Sequence, residues 1–405
     1  MMSFLPKIEK IAKQVFIAHF LLMFGYKLFS LYFPLFLVAR GMSLPEVGFI
    51  YFLIYLPIAI FSPIVGFLNH KLNPALLATS GIFGYGIYVL GMILIPIYQT
   101  WQGINLFYVW QVFLGISAAL FFVSARAILM GLRLRNPDQA FGWFYSAPFY
   151  VNVIAPIVGA FFIWKFDFSG VFIVSLIIFL FTAFFVFFKL RQPAKILIDQ
   201  GFELADFRQS FQKVFQVVKR RNILPLMAAA FSVLLLAGFY QAFFVLFLRE
   251  ELFWSQNLIL IFVSVFSFLF LPISLLLIKR LKKSQSKENI FQGGIVVGLF
   301  SILFGVTMPL LNFLSILAIN IARSAGGLVC SASRSGLISS ELKAYPEEAS
   351  ILDTIFAPLG IALGTLISGA IIGFLGFQFL FIVGGVFVII MTLFAKKFAK
   401  IENMG

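Results

Sequence analysis

The sequence predicts an all-α polytopic membrane protein: twelve transmembrane helices arranged as two six-helix pseudo-repeats. Three observations carry that expectation. Of the 405 residues, 62% are hydrophobic and only 11% charged, with a mean hydropathy of +1.05, a balance that leaves a soluble core no polar surface to cover it. Apolar runs of 18 or more residues recur along the whole chain, each long enough to cross about 30 Å of hydrocarbon as a helix. The runs lack the period-two alternation of outer-membrane strands.

In order, the runs cover 15–38, 45–68, 74–97, 104–127, 141–164 and 168–190, then 223–248, 255–279, 290–309, 312–337, 350–374 and 377–396. The narrowest separations are near Pro309 and Gly376. Lys7, Lys10 and Lys13 precede the first run. That run is too long for a signal peptide and has no small-residue cleavage site near its end, so it reads as an uncleaved helix. The longest polar stretch, from about Lys189 to Asn222, mixes both charge signs and contains an amphipathic segment around Phe207–Val218. The chain therefore divides into a first six-helix bundle (1–190), a connector (191–222) and a second bundle (223–405).

The net charge of +15 is topological rather than a sign of nucleic-acid binding. With both termini in the cytosol, 25 of the 30 Lys and Arg fall in cytosolic segments. Arg40, Lys165 and Arg249 are external, and Lys27 and Arg323 lie inside spans. This is the positive-inside distribution, and it implies attraction to anionic inner-leaflet lipid. The expected location is a bacterial inner membrane. A single cysteine, Cys330, excludes an intrachain disulfide and any CxxC site.

The halves echo each other at an offset of about 209 residues. Pro63 matches Pro272, His70-Lys71 matches Lys279-Arg280, and Ser124-Ala-Arg126 matches Ala332-Ser-Arg334. Asn136-Pro-Asp138 matches Tyr345-Pro-Glu347, Pro148 matches Pro358, and Gly159 matches Gly369. One register for all these pairs indicates duplication of a six-span unit. Such a repeat implies two bundles that rock around a central site.

Several segments resemble motifs of the major facilitator superfamily. Gln111-Val-Phe-Leu-Gly115 with Ser117-Ala-Ala119 resembles the fourth-span Arg-x-x-Gln-Gly element, with Gln111 in place of the usual arginine. Arg126 and Asn136-Pro-Asp-Gln-Ala140-Phe-Gly142 resemble the loop before span five. Ala155-Pro156-x-x-Gly159-Ala160 resembles that span's Gly-Pro-x-x-Gly-Gly element. The loop between spans two and three departs from the family pattern: Gly66-Phe-Leu-Asn69-His70-Lys71 puts His70 where the family has an acid. The resemblance implies alternating access and a cavity lined by spans one, four, seven and ten.

Helical periodicity agrees with that cavity. His19, Met23, Tyr26, Lys27, Ser30 and Pro34 form one stripe on span one, and Asn320, Arg323, Gly327, Ser331 and Arg334 form another on span ten. Span four offers Gln111, Gly115, Ala118 and Arg126; span seven offers Gln241 beside Ala237 and Gly238. A lysine at bilayer mid-depth costs about 2.5–3.5 kcal/mol on insertion scales and marks a pathway more often than packing. The expected solute contacts are therefore Lys27, Tyr26, Ser30, Gln111, Gln241, Asn320 and Arg323. The alternatives are Lys27 resting on a backbone carbonyl or helix end, or neutral in an apolar niche, and Arg323 snorkelling outward. The expected gating or coupling residues are His19, Lys71, Arg126, Arg334, Glu348 and Asp353, with Lys71 meeting Asp353 or Glu348 to close the cytosolic side. Against this stand packing roles for His19 and the two arginines, and helix-end complementation for Asp353.

Two buried cations without nearby acids predict a small or amphipathic anionic solute. Uniport, anion exchange, or proton coupling through His19 or Lys27 all remain open. The alternatives are efflux of lipophiles or lipids, and a non-transporting sensor on the same scaffold. Enzymatic chemistry is not expected, since convergent acids and nucleophiles are missing. No P-loop, dinucleotide fingerprint or metal cluster occurs in the sequence, so no cofactor and no metal site are expected. The expected partners are a small-molecule solute and membrane lipid, acting on a monomer.

Overall fold

A computed structural model describes residues 8–94, 100–101, 104–132, 134–194, 203–220, 223–282 and 285–401. Parts of the connector (195–202 and 221–222) lie outside the described residues. Within them the chain is helical with short connecting turns and one small hairpin, in which Thr100–Trp101 pairs with Ile104–Asn105.

The first span runs Lys10–Ser30 and continues, after a break at Leu31 and Tyr32, as Phe33–Ala39. Leu44–Lys71, Pro74–Leu94 and Leu106–Gly131 follow. Pro137–Asn152 and the start of Ala155–Ala194 make the fifth span. That last helix does not run straight. Asp167 takes φ 57°, ψ −171°, and the chain turns back there. Packing shows the reversal: Gly159 meets the Leu28 carbonyl, while Ser175 donates to the Gly25 carbonyl and the Phe168 and Phe172 rings pack at an angle on Phe36 and Phe29. Residues 168–194 therefore run antiparallel to the first span and form the sixth.

After the connector helix Leu204–Arg220 come Ile223–Ala242, continued by Phe244–Leu246 and a π-helical turn Phe247–Glu251. Gln256–Arg280, Ser286–Val306 and Phe313–Glu341 are spans eight to ten. Pro346–Ile401 holds the last two, divided at Gly376 with φ 78°, a conformation glycine adopts at little cost. Its first part runs parallel to the seventh span, with Leu235 against Gly364 and Phe243 against Gly369. Its second part runs antiparallel, with Phe247 beside Phe377 and Phe239 beside Phe381. Among the described residues twelve segments thus cross the bundle.

The two reversals, Asp167 and Gly376, stand 209 residues apart, the offset of the sequence repeat. Spans one and seven both break just before their final turns, and prolines interrupt spans two, five, eight and eleven. Small residues set the close packing: a Cβ at Gly238 would lie 2.6 Å from the Ile361 carbonyl oxygen, and one at Gly364 would lie 2.0 Å from that of Leu235. The connector helix buries Val214 and Val218 against the bundle and leaves Phe215 exposed.

Candidate functional site

A cavity of about 380 Å³ opens between the two sets of six spans. Span one supplies Lys27, Ser30 and Pro34; span five, Tyr145, Phe149 and Asn152; span seven, Tyr240 and Gln241; span ten, Asn320, Arg323, Ser324 and Ser331. Phe262 and Phe266 of span eight complete one side. Among the described residues the wall contains no carboxylate.

Lys27 lies in the last turn of Lys10–Ser30, where the outward carbonyls of a helix end favour a cation. Among the described residues, no carboxylate lies within 4.0 Å of its ammonium group. Arg323 has no such partner either. Its guanidinium carbon sits 3.2 Å from the Tyr240 ring centroid, and its Nε is buried without a hydrogen-bond partner. A cation on an aromatic face gains about 0.5–2 kcal/mol, so Tyr240 holds the group in place without neutralising it. Asn320 donates to the Ile316 carbonyl of its own helix at 3.1 Å. The Ser30 hydroxyl is buried with no partner.

The structure corrects three expectations about the cavity wall. Span four does not line it. Gln111 instead accepts from the Tyr88 hydroxyl at 3.0 Å and donates to the Phe107 carbonyl, and a Cβ at Gly115 would lie 2.4 Å from the Ile54 carbonyl oxygen of span two. That small residue lets spans two and four close together, which turns the polar face inward within the first half. Tyr26 is one residue, about 100° of helix, away from Lys27; its ring packs on Phe29 and Tyr85. Spans five and eight take the place of span four.

Beside the cavity, on the side that carries the connector, the halves meet in a buried polar cluster. Asp353, fully buried, is its hub. Arg334 reaches it through Nε at 3.0 Å and Nη2 at 2.9 Å. Ser335 donates to it at 2.7 Å and Tyr145 at 3.3 Å. Arg126 comes from span four, with Nε 3.5 Å from the carboxylate and Nη1 donating to Thr354 at 2.9 Å. Its guanidinium also lies over the Phe122, Phe144 and Tyr145 rings, each at 5.8 Å. The repeat counterpart of Asp353, at position 144, is phenylalanine. The two equivalent arginines therefore share one acid.

Around this hub, Ser350 donates to the Val123 carbonyl at 2.7 Å and Asn136 to that of Leu281 at 3.0 Å. Ser286 donates to Asp138 at 2.8 Å. Lys71 does not join the cluster; its ammonium lies over Phe67 at 6.0 Å. The neighbouring His70 faces Glu348, with Nε2 3.7 Å from the carboxylate, and Ser210 of the connector helix donates to the same group. The shorter side chain, one residue earlier, points between the helices, whereas the lysine extends along the bundle surface. His19 is buried, with Nδ1 3.0 Å from the Phe144 carbonyl and its ring stacked on Phe144 at 4.1 Å; it does not reach the cavity.

Sequence reasoning missed Tyr145, Phe149 and Tyr240. The first two stand at i and i+4 with Asn152 at i+7, a legible stripe on span five. Tyr240 gives no such signal, because its partner lies 83 residues further along the chain.

A family model for the Major Facilitator Superfamily matches residues 15–351. No curated protein matches the chain. Among solved structures, the human organic anion transporter MFSD10 (TETRAN) superposes with a TM-score of 0.71 at 15% identity, covering 95% of this chain and 99% of its own. A bacterial homologue of the iron transporter ferroportin, in an outward-facing state, gives 0.68 at 15%, covering 97% and 100%. The proton:xylose symporter XylE gives 0.69 at 13%, covering 96% of each chain. At these identities the likeness is one of fold.

Proposed function

The chain belongs to the Major Facilitator Superfamily, and from that premise we propose that it carries a small or amphipathic anion across the membrane by alternating access. Membership makes it a membrane transport protein rather than an enzyme. The observation that supports an anionic solute is the charge of the cavity wall: Lys27 and Arg323 line it, and among the described residues no carboxylate does. In a site of reduced dielectric such cations attract an anion far more strongly than in water, and they repel organic cations. The neutral donors Asn152, Gln241 and Asn320 add orientation, and the phenylalanines offer an apolar flank.

The polar cluster around Asp353 serves, in this reading, as the gate on the connector side. It joins spans four, five, ten and eleven across both halves, and it lies next to the cavity through Tyr145, which belongs to both. The excess of Lys and Arg in the loops of that side supports reading it as the cytosolic one. Proton coupling through a cavity carboxylate has no candidate among the described residues, which favours uniport or anion exchange.

The test is a set of melting-temperature shifts in detergent with matched anionic, neutral and cationic small molecules. Ligand at 100 times its dissociation constant stabilises the folded protein by about 2.7 kcal/mol. Shifts confined to anions and lost in Lys27→Gln or Arg323→Gln support the reading, and flux in liposomes then identifies the solute. Shifts with cationic or neutral lipophiles that survive both substitutions overturn it in favour of lipophile efflux.

A further inference from the structure

We infer that the solute is a dianion, with one negative charge met by Lys27 and the other by Arg323. This rests on the anionic reading above and sharpens it. The cavity presents two cations, and neither has a carboxylate within 4.0 Å among the described residues. The buried Asp353 is held by Arg334 and Arg126 and is not part of the wall. Closing the cavity over a monoanion leaves one desolvated, unpaired cation, and an uncompensated buried charge is strongly unfavourable. Closing it over a dianion leaves a neutral complex.

The two cations differ in what they recognise. Stacking on Tyr240 covers one face of the Arg323 guanidinium and leaves its in-plane N–H edges to bind, with Nε lacking any partner. That edge matches a carboxylate or phosphate in two parallel hydrogen bonds. Lys27 is a compact point charge on a flexible stem and accepts a second anionic group of any shape. The cavity, about 380 Å³, lies near the small end of the roughly 300–1,000 Å³ range of small-molecule sites, which fits a metabolite-sized molecule.

Lys27 belongs to the first half and Arg323 to the second, so a bound dianion bridges them. The empty site carries two uncompensated charges and resists closing; the loaded site does not.

The experiment uses the full-length protein with dicarboxylates from malonate to adipate, their monoamides and their diamides, together with inorganic phosphate. Each dicarboxylate set keeps size and shape while the charge falls from two to one to none. The expected result is binding at least about tenfold tighter for one dicarboxylate than for its monoamide. That preference collapses in Lys27→Gln, where one cation remains, and persists in Lys27→Arg. Melting temperature without ligand checks that each variant is folded, and Arg323→Gln gives the same test from the other half. Phosphate binding more tightly than every dicarboxylate, and tightening as pH rises through its second ionisation, supports the dianion and places both charges on one centre; tight phosphate binding without that rise overturns the dianion. Equal binding of dicarboxylate and monoamide, both tighter than diamide, overturns the dianion and leaves the anionic reading standing. No stabilisation by any anion overturns both.

Discussion

Substituting Asp353→Asn is expected to open the connector side, by more than any single change to its partners. The carboxylate is fully buried and serves two guanidinium groups. Arg334 makes two contacts with it at 2.9 and 3.0 Å, and Arg126 makes one at 3.5 Å. Removing one partner of a buried ion pair costs about 3–5 kcal/mol, because the other charge stays buried and unpaired. Asp353→Asn strands both arginines at once, although Thr354 and three aromatic rings still hold Arg126. Arg334→Gln leaves Asp353 to Arg126, and Arg126→Gln leaves the shorter pair intact. The expected order of disruption is therefore Asp353→Asn, then Arg334→Gln, then Arg126→Gln. If water reaches the arginines when this side opens, a loss of about 3 kcal/mol from the closed state shifts the equilibrium by more than a hundredfold. Ser339 is buried at this end of span ten and reports the change when replaced by cysteine in a Cys330→Ser background. Its alkylation by a polar maleimide should accelerate in the stated order. Unchanged alkylation in a folded Asp353→Asn protein, or Arg126→Gln as the most disruptive change, would refute the hub reading.

Four further outcomes are expected. Gly336→Ala should speed the same alkylation, since its Cβ would meet Asp138 at 2.0 Å from Oδ1 and 2.9 Å from the backbone Cα. Tyr240→Leu should weaken anion binding by roughly 2- to 30-fold, the equivalent of a cation–π contact, while Tyr240→Phe should not; melting shifts measure both. Gln111→Leu should lower the melting temperature by the loss of a helix-bridging hydrogen bond, about 1 kcal/mol, and leave ligand affinity unchanged. His70→Ala should raise the alkylation rate at position 339 more than Lys71→Ala, because His70 faces Glu348 and Lys71 does not.

Much of the candidate site was legible because it depends on single residues in a known solvent. A lysine or arginine inside a 20-residue apolar run is anomalous wherever it packs, so Lys27 and Arg323 stand out from the sequence, and helical spacing carries Ser30 and Asn320 along with them. Gln111 was misplaced because periodicity finds the polar face of a helix but not the neighbour it meets. That neighbour is Tyr88 of span three, 23 residues earlier, while Gly115 brings span two against the same helix. The cytosolic latch failed at the level of one residue: His70 and Lys71 are adjacent and both basic, and only the helix orientation decides which one points inward.

The sequence by itself determined the number and order of the spans, the internal repeat, the side that carries the basic loops and the two cations inside spans. These follow from the free energy of single groups in hydrocarbon and from chain periodicity, which are local quantities. The tertiary structure decided which spans wall the cavity, that Tyr240 seats Arg323, and that Arg126 and Arg334 share Asp353. Those pairings join residues 19 to 227 positions apart, and they depend on how closely glycine and other small residues let the helices approach. Packing distances of that kind belong to the assembled bundle, and no single segment encodes them.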